Sequence, residues 1–238
     1  MTTEQLADVI DRILATDQRL LDAVAGLTDG LVAEPSRLPG WTRGHVLAHL
    51  VGLGQAAARQ LENAVAGAER VDFYDGGRTA RDLAIESGAG AGAAEHALEL
   101  RRTVARIEAT LARLTPAMLD QPTGYRDRPV SAVVLLWWRE AEIHLTDLDL
   151  GVASSSWTGT LRQHLFDYLA DRVPAGTRLD LVAVDLDERH TLGEGEVVTV
   201  RGTATDLAAW IAGREPLSPV TAERDGVPQP LPELAPWP

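Results

Sequence analysis

The chain has 238 residues, 45% hydrophobic and 24% charged, enough for one large or two small cores. Lys and Arg number 22 against 35 Asp and Glu, a formal net charge of −13. This excludes nucleic acid and an anionic membrane as partners, which need clustered basic residues, but leaves room for a small anion held by one local arginine. Cysteine is absent, so disulfides, thiolate metal sites and a protein thiol nucleophile drop out together. Any thiol chemistry needs an external thiol. No apolar run approaches the length of a membrane span, and the start, "MTTEQLADVIDRI", lacks the regions of a signal peptide. The expected compartment is the cytoplasm.

From Thr3 to about Leu27, Leu6, Ile10, Ile13, Leu14, Leu20, Leu21 and Val24 recur at helical spacing. "DGLVAEPSRLPGW" reads as a loop, with Thr42 as N-cap of a helix from about Arg43 to Ala66. "GAERVDFYDGGRT" is a second loop. A third helical region begins near Thr79, stumbles at "ESGAGAG" and resumes from about Ala93 to Leu114. A turn-rich link leads to a fourth helix from about Val130 to Leu150. Four long helices joined by loops predict an antiparallel bundle with functional residues in its core. After "GVASSSW" the texture changes. Gly159 to Ala170 reads as a short helix, "RLDLVAVDL" and "EVVTVRG" as strands, "ERHTLGEG" as hairpin material, and "TATDLAAWIAGR" as a helix ending at Gly213. The proline-rich tail "EPLSPVTAERDGVPQPLPELAPWP" is expected to be irregular. The domains expected are 1–152 and 153–238, the second a small α/β layer.

The chemistry gathers on two helices. On the fourth, Val133, Trp137, Glu140, His144 and Asp147 or Leu148 form one inward stripe. A buried carboxylate is costly unless a cation pairs with it. On the second, Val46, His49, Leu50, Leu53 and Ala57 face inward, while His45 lies nearer the helix start and solvent. His49, Glu140 and His144 therefore make a three-ligand set, which with an open fourth position is the catalytic pattern for zinc. The same donors also suit ferrous iron, nickel or manganese. The spacing by itself is equally open to a helix-surface ion pair or a core hydrogen bond.

"LPGWTRGHVLAHL", "RTARDLAIESGAG", "WWREAEIHLTDLDLGV" and "VRGTATDLAAWIAGR" together resemble the mycothiol-dependent maleylpyruvate isomerase family. The resemblance implies an α+β fold, a DinB-like four-helix bundle followed by a small sterol-carrier-like α/β domain. It implies a divalent metal, usually zinc, on His49, Glu140 and His144, mycothiol as thiol cofactor or co-substrate, and a functional arginine matching Arg214. Arg214 could equally be a helix-end arginine interacting with the last carbonyls. Arg81 and Glu86, in the middle stretch, are expected to form a structural ion pair. Asp147 could orient a ligand histidine, and Asp149 is expected to be a solvated helix-end carboxylate.

Three functions follow as expectations. A metal-activated thiolate could add to a conjugated double bond, allow rotation and leave, which is maleylpyruvate cis–trans isomerisation, with Arg214 stabilising the developing charge. The same thiolate could attack an electrophile with a leaving group, which is thiol S-transferase chemistry. The chain could instead hold a metal or small ligand without turnover. The expected partners are a small anionic or electrophilic substrate and a low-molecular-weight thiol, in a monomer or homodimer, with the substrate in a cleft between the domains.

Overall fold

The computed structural model describes residues 2–237. Two compact units divide the chain, Met1–Gly151 and Val152–Pro238.

The first unit is helical. Helix α1 (Thr3–Ala25) opens with a capping box between Thr2 and Gln5. A short helix, α2 (Asp29–Ala33), interrupts the first predicted loop. Helix α3 (Arg43–Ala66) begins where Thr42 Oγ1 accepts from the His45 backbone N–H, while His45 Nδ1 accepts from the Thr42 N–H at 3.2 Å. Histidine thus fills the capping position usually held by Glu or Gln. The stumble at "ESGAGAG" is a complete break. It separates α4 (Gly77–Gly88) from α5 (Ala93–Leu111), and α4 lies against α3 as an extra helix. Helix α6 (Val130–Asp147) completes a four-helix bundle in which α3 and α1 each pack on both α5 and α6. Leu20, Leu47, Leu50, Leu61, Leu100, Ile107 and Leu111 fill its core.

One buried side chain sets the register between α3 and α6. Arg43, at the first turn of α3, donates from Nε to the Leu148 carbonyl at 2.7 Å and from Nη1 to Glu34 at 2.6 Å. The start of α3 is thereby fixed at the end of α6, so residues one to two turns into α3 face the last turns of α6. Among the described residues no helix is long and apolar enough to cross a membrane.

The second unit has α7 (Gly159–Leu169), β1 (Thr177–Ala183), β2 (Arg189–Gly193), β3 (Glu196–Gly202) and α8 (Ala204–Ile211), close to the predicted pattern. The tail differs from expectation. It forms β4 (Thr221–Arg224) and β5 (Val227–Gln229), giving one mixed sheet in the order β2-β1-β3-β4-β5. The reason lies in Asp225-Gly226, a two-residue turn with φ of 51° and 77° between paired Arg224 and Val227. Asp-Gly is the preferred pair for such a turn, and prolines nearby obscured it. Strands β1 and β3 run parallel, with Leu179 and Leu181 opposite Val198 and Val200, and all four are buried. Helix α8 packs on β1, β3 and α7.

Candidate metal centre

Helix α3 contributes His49, and α6 contributes Glu140 and His144 one turn apart. All three are buried. Glu140 Oε2 lies 3.5 Å from His49 Nε2 and 3.3 Å from His144 Nε2. The imidazole centroids are 4.6 Å apart at 83°. One donor atom from each residue falls within 4.8 Å of the others, close enough for one cation. The two Nε2 atoms thus converge on the same carboxylate oxygen.

The outer nitrogens have opposite surroundings. His144 Nδ1 is 2.9 Å from Oδ2 of Asp147, which is wholly buried. His49 Nδ1 is 3.1 Å from Nη2 of Arg81 on α4. Arg139 Nη2 approaches the other Glu140 oxygen at 3.4 Å. Trp41, just ahead of α3, sets its ring edge-on to His49, 5.8 Å away.

These neighbours set the charge states. Burial lowers the His49 pKa to about 4, against the opposing hydrogen bond to Glu140, so its imidazole is neutral. Burial alone would raise Glu140, but hydrogen bonds from His144 and His49 and the charge of Arg139 hold it well below the usual carboxylate range. Burial also works against charge on His144, yet the Asp147 and Glu140 carboxylates override it and raise its pKa. The cluster therefore offers an ionised carboxylate between two imidazoles, with a second carboxylate behind one of them.

The structure brings His49, Glu140 and His144 together as the stripes required. Asp147 reaches His144. Asp149 is half-exposed at its side chain and pairs with Arg37 at 2.9 Å, a helix-end role. Glu142 points to α1, where Thr16 and Arg19 hold it. His45 stays at the cap, its Nε2 3.5 Å from Glu86. The expected Arg81–Glu86 pair does not form. Arg81 binds Asp82 at 2.6 Å and His49 instead, because α4 turns Arg81 inward onto α3 and leaves Glu86 opposite the α3 start. In the second unit, Arg214 follows Gly213 (φ 69°), donates to the Ala212 carbonyl at 2.8 Å and lies 5.1 Å over the Trp237 ring. Arg139 and Tyr74 were not anticipated near the cluster. Arg139 adjoins Glu140 in sequence, whereas Tyr74 lay in a loop with no motif to mark it.

Fold and site together define a class: a helical bundle with a buried two-histidine, one-carboxylate centre, carrying a small mixed-sheet unit. Residues 13–149 match the family described as "Mycothiol maleylpyruvate isomerase N-terminal domain", and the chain belongs to that family. The crystal structure of the mycothiol-dependent maleylpyruvate isomerase superposes with a TM-score of 0.84 at 20% identity, covering 100% of both chains. A histidine-to-alanine mutant of that isomerase gives 0.83 at 21% identity, also covering 100% of both chains. At such identity the likeness is one of fold, and it agrees with a helical bundle followed by a small α/β unit. No curated protein matches the chain by sequence.

Proposed function

We propose that this chain is a metal- and thiol-dependent enzyme acting on a small electrophile, with maleylpyruvate cis–trans isomerisation, using mycothiol, as its reaction. The observation that carries this reading is the convergence of His49 Nε2, His144 Nε2 and Glu140 Oε2 within a family that bears the isomerase's name. The donors fit a divalent cation: two nitrogens and one oxygen, one of the imidazoles held neutral and the carboxylate held ionised. Zinc is the metal we propose, on the resemblance to the family, since the N/N/O set by itself also suits iron, nickel or manganese. When bound there, such an ion lowers the pKa of a coordinating thiol so that it reacts as thiolate at neutral pH.

The chain's own residues then have separate tasks. His49, Glu140 and His144 hold the ion. Asp147 accepts from His144 Nδ1–H, which fixes the tautomer that leaves Nε2 free to ligate. Arg139 offsets the charge of Glu140 from the side away from the histidines. With no cysteine in the chain, the nucleophile comes from the external thiol. Arg214 enters on its match within "VRGTATDLAAWIAGR" alone, as the cation that steadies charge developing on the substrate.

Metal analysis and a thiol-dependent assay test this reading. His49→Ala and His144→Ala should lose the ion, while His45→Ala keeps it. Arg214→Ala should keep the ion and lose turnover by about 10²-fold or more. Wild-type metal content in His49→Ala would refute the ligand set. Conjugation of a model electrophile without isomerisation of maleylpyruvate would replace the isomerase with a thiol S-transferase. A loaded protein inactive in both assays would be a binding protein.

A further inference from the structure

Arg81 is the cation on α4 that reaches the centre. Its Nη2 lies 3.1 Å from His49 Nδ1 and its Nη1 lies 2.6 Å from Asp82 Oδ1. Tyr74, partly buried just ahead of α4, lies near enough for the Arg81 charge to act on its hydroxyl. About a fifth of the Arg81 side chain, 22%, remains open to solvent. The other guanidinium at the centre, that of Arg139, is 1% exposed and turned to Glu140. Arg81 is thus the nearer of the two to anything arriving from outside. Tyr74 also lines a pocket of about 240 Å³ with Gly52, Arg59, Phe73 and Arg106. Gly52 stands three residues beyond His49 on α3, so this pocket lies one turn along from the ligand histidine.

The contact with His49 has a consequence for hydrogen bonding. Arg81 can donate to His49 Nδ1 only while that nitrogen carries no proton. The nitrogen that faces Glu140 and His144 is Nε2. Once Nε2 ligates a cation, a neutral imidazole carries its single proton on Nδ1. Two donors then face each other across 3.1 Å, and one arm of the guanidinium has lost its acceptor. A partly buried charged donor without an acceptor is costly, and a carboxylate is the acceptor that such a charged N–H binds most strongly. The Tyr74 hydroxyl, close to Arg81, supplies a second donor.

We propose that Arg81, with the Tyr74 hydroxyl, grips a carboxylate of an anionic substrate beside the His49–Glu140–His144 centre. Metal loading is what frees it to do so, and the proposal therefore rests on the metal-dependent reading above. It also answers how a chain of net charge −13 takes an anion: one arginine is released only where the ion has been placed.

Calorimetric titration with succinate tests this. Succinate is a dicarboxylate without a double bond, so it reports binding without chemistry. Zinc content is measured first in every variant. Zinc-loaded wild-type protein should bind succinate, and zinc-free protein should bind it at least tenfold more weakly. Arg81→Ala should weaken binding to the loaded protein by about 10- to 100-fold, the range expected for a charge-assisted hydrogen bond, at unchanged zinc content. Arg81→Lys should recover part of that loss, and Tyr74→Phe should lose less than Arg81→Ala. Should Arg81→Ala fail to fold, Arg81→Gln, which keeps a donor but not the charge, takes its place. Wild-type succinate affinity in the alanine or glutamine variant overturns the proposal. So does an absence of binding by loaded wild-type protein. Loss of zinc together with succinate would make Arg81 a support for His49 instead. A wild-type protein that takes up no zinc fails earlier, at the ligand set, and removes both readings.

Discussion

Asp17 lies wholly buried in α1, with Oδ1 accepting from the Trp137 indole N–H at 2.9 Å and Oδ2 without a partner among the described residues. Burial raises its pKa from 3.8 to about 8, against the lowering effect of the Trp137 hydrogen bond. The sign follows from linkage. Below about pH 4 the folded and unfolded chains both hold this proton, and the contribution to stability is intact. Between about 4 and 8 the unfolded chain ionises Asp17 while the folded chain keeps it protonated, so stability falls as pH rises. Asp17→Asn keeps the acceptor for Trp137 and cannot ionise. It should therefore be more stable than wild type at pH 8 by a few kcal/mol, since each tenfold difference in proton affinity between the two states is worth about 1.4 kcal/mol. Urea titrations at pH 5 and pH 8 check this, and parallel losses in the two proteins would contradict a protonated Asp17. Trp137, on the same stripe as Glu140 and His144, thus spends its indole N–H on Asp17 and packs its ring on Gly54, where an added Cβ would meet it at 2.9 Å.

At the scale of elements, periodicity made the helices readable and close approach made the rest unreadable. The α3 range from Arg43 to Ala66 follows from the Thr42 cap and the apolar stripe. Glu140 and His144 were visible as an i, i+4 pair, and His49 shared a face with Leu50 and Leu53. The position of α4 carried no such signal. It depends on Gly44, where a Cβ would sit 2.1 Å from the Ala89 carbonyl oxygen, and on Gly88, where one would meet Ala48 at 3.1 Å. These contacts bring Arg81 to His49, and a hydrophobic pattern does not encode them. Gly44→Ala should cost about 1–3 kcal/mol through overpacking against backbone. Gly52→Ala, with nothing within 4 Å of the new Cβ, should be neutral or gain up to about 1 kcal/mol of helix propensity. Denaturant midpoints of the two variants give the comparison, and equal midpoints would mean that α4 shifts freely.

For the whole molecule, a net charge of −13 sets a repulsive field for an anionic substrate, while the proposed grip is local. Salt screens the long-range part more strongly than a partly buried contact. Raising ionic strength from about 0.01 to 0.15 M, where the Debye length shrinks from about 30 to 8 Å, should therefore raise kcat/KM for an anionic electrophile such as the proposed maleylpyruvate. An uncharged electrophile should show no such rise. A fall with salt would mean that a local cation such as Arg81 dominates the field on approach.

The β4–β5 hairpin gives the second unit a further property. An open sheet ends in strands with unpaired N–H and C=O groups, which can recruit a strand from another molecule. Here the outer strand is β5, three residues long, and Pro228 within it has no N–H to offer. Pro230, Pro232 and Pro236 follow within eight residues of it. The composition that hid the hairpin from a reading of the sequence thus protects that sheet edge against strand-by-strand self-association.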